Sequence, residues 1–164
     1  MAATTLTVTA NVAPNVSPRA SARGGVVAVS WSKNSGGTAF GTATDLMLLA
    51  KLPNGARILD HNTTIYTKSA TTHWKLVAYK VESVGSSGTL GTLTALSDVM
   101  GSFTVAAAGT ANLAGVRTYY QVSLSDDAAV QFAVLGLLCG TGGSASTSFL
   151  CDGNVLYETG GSDI

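Results

Sequence analysis

From Gly25 onward, short apolar runs alternate with turns built from Gly, Asn, Ser and Asp, and no run keeps helical spacing for the length of an ordinary helix. Residues 26–31 put Val27, Val29 and Trp31 on one face, at the period of two that a strand imposes. Residues 45–52 are apolar almost without interruption, which suits a strand covered on both sides. Leu52-Pro53-Asn54-Gly55 follows as a turn: Pro53 pre-sets φ, while Asn54 and Gly55 tolerate positive values. Residues 56–62 lead out as a strand that 63–67 can continue. Residues 74–81 are apolar on both faces, with Trp74, Leu76 and Ala78 on one and Val77, Tyr79 and Val81 on the other. In a small domain such a strand calls for an overlying arm or a subunit contact.

Weaker strands are expected over 89–96 and 102–106. Residues 119–124 alternate with Tyr120, Val122 and Leu124 inward, and in 130–138 Val130, Phe132 and Val134 share a face. Residues 149–157 supply a last strand or hairpin around a turn at Asp152-Gly153-Asn154. Only residues 92–100 have spacing that suits a turn or two of helix, and 106–115 is interrupted by glycine. About eight strands joined by Gly/Asn/Ser loops predict an all-β fold, a two-sheet antiparallel sandwich of the jelly-roll type.

Residues 1–24 read differently. A brief alternation at Thr4, Leu6 and Val8 is broken by Pro14, Pro18 and a run of Ser, Ala and Arg. The expectation is an extended N-terminal arm over 1–24 followed by a sandwich domain over 25–164. A disordered terminus is the plainer alternative.

The 164 residues suit one domain with a core that needs neither disulfides nor metal. Charged residues make up 11%, against a usual ~25%, so Ser, Thr, Asn and Gly must carry the surface polarity. Little like-charge repulsion then keeps copies apart, which leans toward an assembly component. Net charge is zero, so no global field gathers nucleic acid. Arg19, Arg23 and Lys33 are nevertheless the only charged side chains before Asp45. No stretch reaches the ~18 apolar residues of a membrane span, and the N-terminus lacks the basic and apolar regions of a secretory signal. Synthesis in the cytosol is therefore expected, with Cys139 and Cys151 as buried free thiols; a late disulfide across a hairpin is the alternative.

Candidate chemistry is sparse. His61 and His73 lie in no HxH or HExxH arrangement, and Glu82 and Glu158 are too few for a cupin-type metal site. Asp60-His61 reads as a solvent-facing polar pair, because neighbours on a strand point to opposite faces and Asp60 cannot orient His61. Asp126-Asp127 and Asp152-Gly153-Asn154 read as turns rather than as paired catalytic carboxylates or a calcium loop. Gly140-Thr141-Gly142-Gly143 lacks the Lys-Ser/Thr of a phosphate-binding loop. Trp74-Lys75 and Tyr79-Lys80 could form a small base-stacking platform, but core or subunit packing explains them better. No catalytic residue, cofactor or metal is expected.

Within residues 25–79, the apolar Asp45-Leu46-Met47-Leu48-Leu49 and the following Leu52-Pro53-Asn54-Gly55-Ala56-Arg57-Ile58 carry a resemblance. This pattern, with Thr-rich strands after it, resembles small structural proteins of tailed bacteriophages. The resemblance implies a jelly-roll decoration or cement protein, a dimer or trimer that clamps neighbouring subunits of the major capsid protein on the outer capsid surface. On this reading Pro14, Pro18, Arg19 and Arg23 of the arm touch the capsid, and Trp74, Leu76, Val77 and Tyr79 form the contact between copies. Neither nucleic acid nor membrane is an expected partner. The alternative is a carbohydrate- or receptor-binding head-fibre or tail-associated module. Its rim would be the loops 32–44 and 140–148, with Phe40 as the aromatic available for stacking on sugar.

Overall fold

A computed structural model describes residues 5–12, 25–66, 72–82, 90–96, 101–105, 110–114, 120–124, 132–141 and 148–159. The first sheet runs β1 (Thr5–Thr7), β3 (Leu46–Leu52), β10 (Phe132–Thr141), β5 (Thr72–Val81). Both β6 (Leu93–Ala95) and β7 (Gly101–Val105) pair with the far side of β5. The second sheet runs β2 (Val26–Asn34), β11 (Leu150–Thr159), β4 (Ala56–Tyr66), with β8 (Thr110–Ala114) and β9 (Tyr120–Gln121) along β4. One short helix, α1 (Thr9–Val12), follows β1. Every ladder is antiparallel except β1 with β3.

The pairings reveal the path. β2 pairs with β11, β3 with β10, β4 with β8 and β5 with β7, so the chain is a nested hairpin whose two halves match strand for strand. Rolling that hairpin up creates two further ladders, β4 with β11 and β5 with β10. This is the strand order of a jelly roll.

The predicted turn at residues 52–55 carries the chain from the first sheet to the second. Ala56 N donates to Pro53 O at 3.2 Å, and Gly55 takes φ +78°. Asn54 serves differently: its Oδ1 accepts from Leu124 N at 2.9 Å. The Gly55 N–Val122 O and Val122 N–Ala56 O bonds complete the stitch. The sequence pattern here is structural, with Leu52, Ala56 and Ile58 buried.

Three expectations change. β6 lies inside the weak strand expected over 89–96, so the helical turn considered for 92–100 is not formed at 93–95, and the glycine-interrupted stretch 106–115 contains β8. Asp152-Gly153-Asn154 is no turn but the middle of β11, paired on both sides. A Cβ on Gly153 would overlap the Asn62 carbonyl oxygen and lie 2.8 Å from Trp31 Cζ2. Glycine is there so that an indole can lie across a central strand.

The boundary at residue 24 also shifts. β1 adds a strand to β3, Val8 N donates to Leu48 O at 2.9 Å, and Val8 and Val12 are buried. Asn11 Nδ2 donates to Ser30 O at 2.8 Å, tying the helix to β2. Residues 5–12 thus pack on the sandwich: Leu6 and Val8 join the core between the sheets, and Val12 joins the apolar cluster on the outer side of β3. Pro14, Pro18, Arg19 and Arg23 fall in the connection from α1 to β2, outside the described residues.

Candidate functional surface

The side chains expected between copies are inside this chain. Trp74 and Leu76 are fully buried in the core between the sheets, and Trp74 Nε1 donates to Thr72 Oγ1 at 2.8 Å. Val77 and Tyr79 point the other way but are also buried, in a second cluster with Leu46, Leu48, Val81, Phe132, Val134 and Val12. Rings sealed in this way offer no base-stacking platform.

Phe40 is likewise buried. It stacks on Trp74 at 5.7 Å and meets Phe149 at 5.0 Å, closing one end of the sandwich with three aromatic rings. The loop over 32–44 therefore gives its aromatic to the core, where the carbohydrate alternative required it at the rim. Residues 142–147 of the other loop lie outside the described residues.

Groups with chemical potential are bound into structure. The buried Asp45 carboxylate accepts from Gly41 N and Thr42 N, each at 2.8 Å, and from Thr42 Oγ1 at 2.9 Å. These bonds hold a loop in which Thr44, a β-branched residue, takes φ +73°. Thr44 N donates to Cys139 O and Cys139 N to Asp45 O, each at 2.8 Å. The Cys139 thiol donates to Gly41 O at 3.4 Å. Burial, with the charge of Asp45 added, pushes that thiol up to about 11. Cys151, on the opposite sheet, is pushed up to about 12 chiefly by burial. Both are free, and thiols so little ionised are poor nucleophiles.

His61 is not the solvent-facing residue expected. It points into the sandwich at 2% exposure, and neither ring nitrogen has a hydrogen-bond partner. Burial lowers its pKa, against the opposing pull of Asp60. Asp60 lies on the other side of β4 and accepts from the His61 backbone N at 2.8 Å, so the two form no dyad. His73 is exposed, with Nδ1 2.8 Å from Thr104 Oγ1. Lys51, buried on the outer side of the first sheet, holds Nζ 4.1 Å from the centre of the Phe132 ring. Among the described residues no three His, Cys, Asp or Glu side chains come together to hold a metal.

The surface on which sequence reasoning was silent is the outer face of the second sheet. Register places Asn34, Leu150 and Tyr66 in one row, then Ser32, Asp152 and Thr64, then Ser30, Asn154 and Asn62, then Ala28, Leu156 and Asp60. The last row is Val26, Glu158 and Arg57, where Arg57 and Glu158 form an exposed ion pair. Between the two middle rows lies a shallow dip of about 240 Å³, lined by Ser30, Asn62, Thr64, Asp152, Gly153 and Asn154. Tyr66, 40% exposed, stands at the end of the same face.

No protein-family model matches the chain, and no curated protein does. Among solved structures, a chain of the infectious bursal disease virus Gx strain aligns with TM-score 0.49 and 12% identity, over 87% of this chain and 33% of that one. A chain of the cyanophage Pam1 capsid asymmetric unit aligns with TM-score 0.41 and 16% identity, over 82% and 84%. The infectious bursal disease virus VP2 subviral particle gives TM-score 0.40 and 11% identity, over 86% and 34%. This chain spans about a third of the length of the infectious bursal disease virus chains. Likenesses this remote add nothing to the strand order described above.

Proposed function

We propose that this chain is a structural protein of a bacteriophage virion, a jelly roll that decorates the outside of the head and braces neighbouring major capsid protein subunits. The supporting observation is the packing between the sheets among the described residues. Trp74, Phe40, Phe149 and Tyr157 fill the space between the sheets, and Asp45, Cys139 and Cys151 are committed to holding the fold. A body of this kind acts through its surface. That surface carries few ions, 11% of all residues being charged, which lowers the cost of laying it against another protein. The phage resemblance of Leu52-Pro53-Asn54-Gly55-Ala56-Arg57-Ile58 supports the same reading.

Attachment is assigned to the basic connection between α1 and β2, through Arg19 and Arg23 with Pro14 and Pro18 beside them. Contacts repeated around a symmetric shell gain avidity, so each one can be modest. A molecule that binds only the assembled lattice then stabilises that lattice by mass action. Dimers or trimers would use surface other than Trp74 and Leu76.

The test is co-sedimentation with capsids stripped of their decoration. The full chain should pellet with them and raise their disruption temperature. A double variant, Arg19→Ala with Arg23→Ala, should lose most of its occupancy while its own melting temperature is unchanged. Full occupancy by the double variant overturns the arm assignment, and no binding by the parent chain overturns decoration altogether.

A further inference from the structure

We infer that the outer face of the second sheet is a binding site for an uncharged polysaccharide, seated in the dip over Gly153 and running toward Tyr66. This inference goes beyond attachment to a capsid and does not depend on it.

The case starts from what the dip is made of. Its floor is the main chain of Gly153, and its sides are two hydroxyls, Ser30 and Thr64, two amides, Asn62 and Asn154, and one carboxylate, Asp152. Amides offer a donor pair and an acceptor in one plane, and a carboxylate offers two acceptors. That is the set that can bridge neighbouring hydroxyls of a sugar ring, each hydroxyl both giving and accepting a bond. Among the described residues no cation lines the dip, so a phosphate or an acidic glycan would meet Asp152 and be repelled. No large apolar side chain among the described residues lines it either, so a hydrophobic peptide would find little to bury there. A neutral polyol satisfies both restrictions.

The second observation is Tyr66. It is one of two large apolar side chains left clearly exposed among the described residues, and it shares this face. Along β4 it lies two residues beyond Thr64 and four beyond Asn62, on the order of 13 Å at strand rise. That leaves room for more than one sugar ring between amide and phenol. An aromatic ring supplies the apolar stacking surface for the C–H face of a sugar, while its hydroxyl stays in water. Polar groups that fix orientation, beside an aromatic that supplies contact area, are the usual division of labour in a small-ligand site. The strands beneath are rigid: β11 is hydrogen-bonded on both sides, so these side chains keep their spacing without a ligand. The site therefore lies on a sheet and not on the end loops.

Affinity electrophoresis of the purified full chain tests the assignment, using native gels cast with dextran, glycogen, xylan, galactomannan or hydroxyethyl cellulose. At least one gel should retard the protein. Tyr66→Phe, which keeps the ring, should be retarded as the parent is. Tyr66→Ala and Asn154→Ala should each run as though no polysaccharide were present, with unchanged circular dichroism. Absence of retardation in all five gels overturns the inference. So does retardation that survives both alanine variants. If Tyr66→Ala instead changes the sedimentation coefficient and no gel retards the parent, the face holds a second copy of the chain and the polysaccharide assignment falls. Capsid binding is untouched by any of these results, so the two readings fail separately.

Discussion

The two sheets share one core yet manage their outer faces in opposite ways. On the first sheet the central strands are covered on both sides: all seven positions of β3 are buried, and β10 alternates between the main core and the outer cluster. β3 achieves this with a register shift opposite Leu135 and Gly136, which puts both Leu49 and Ala50 into the main core. On the second sheet the outer face is mixed, with Ser, Asn, Thr and charged residues at its middle and Val26, Leu156, Leu150 and Tyr66 among them or at its ends, and β2 alternates as a half-buried strand should. The first sheet must be covered to exist in water, whereas the second is finished as it stands. Exposed chemistry is accordingly concentrated on the second sheet and cover on the first.

The cover is the larger lever. The burial of Val8 and of Val12 is worth about 1.5–3 kcal/mol each, and β1 adds its ladder. Removing residues 1–12 should therefore lower the melting temperature by roughly 10 °C, and the uncovered Leu46, Leu48 and Val77 should bind a hydrophobic dye. A truncated chain that melts like the parent would mean the first sheet needs no cover, and the contrast would be void. A finer comparison uses one residue type on both outer faces. Tyr79→Ala, in the outer cluster of the first sheet, should cost about 3 kcal/mol in urea unfolding. Tyr66→Ala, on the second, should stay within about 0.5 kcal/mol. Equal costs would show the two faces to be energetically alike.

Much of this difference was legible in the residues. Period-two alternation over 26–31 marked a half-exposed strand, and the unbroken apolar run over 45–52 marked a covered one. The two faces assigned to residues 74–81 are those observed, with Trp74, Leu76 and Ala78 in the main core and Val77, Tyr79 and Val81 outside it. What could not be read was who covers whom. Leu6, Val8 and Val12 are too few and too close to proline-rich sequence to signal an integral strand, and only the tertiary packing, Leu6 and Val8 at the main core and Val12 at the outer cluster, explains their place. Asp152-Gly153-Asn154 misled because the three residues have turn chemistry in isolation. Their role in β11 depends on Trp31, which lies more than a hundred residues away in sequence. The outer-face site was invisible for the same reason: Ser30, Asn62 and Asn154 become neighbours only through register.

The inner faces differ as well, and pH should expose the difference. The inner side of the second sheet carries His61 and Thr63, both buried without side-chain hydrogen-bond partners, where the central strands of the first sheet present Met47, Leu49, Leu135 and Leu137. Burial lowers the folded-state pKa of His61 below its ordinary 6.5. Between those two values the unfolded chain binds a proton that the folded chain does not. Stability is therefore whole above the unfolded value, falls as pH drops through it, and stops falling once the folded value is passed. One proton allows a slope of at most about 1.4 kcal/mol per pH unit. His61→Phe removes the proton site and the stranded ring nitrogens together, so its urea midpoint should be flatter than the parent's from pH 6.5 downward. A parallel acid limb in the two proteins would place the loss outside His61 and remove pH as a mark of this contrast.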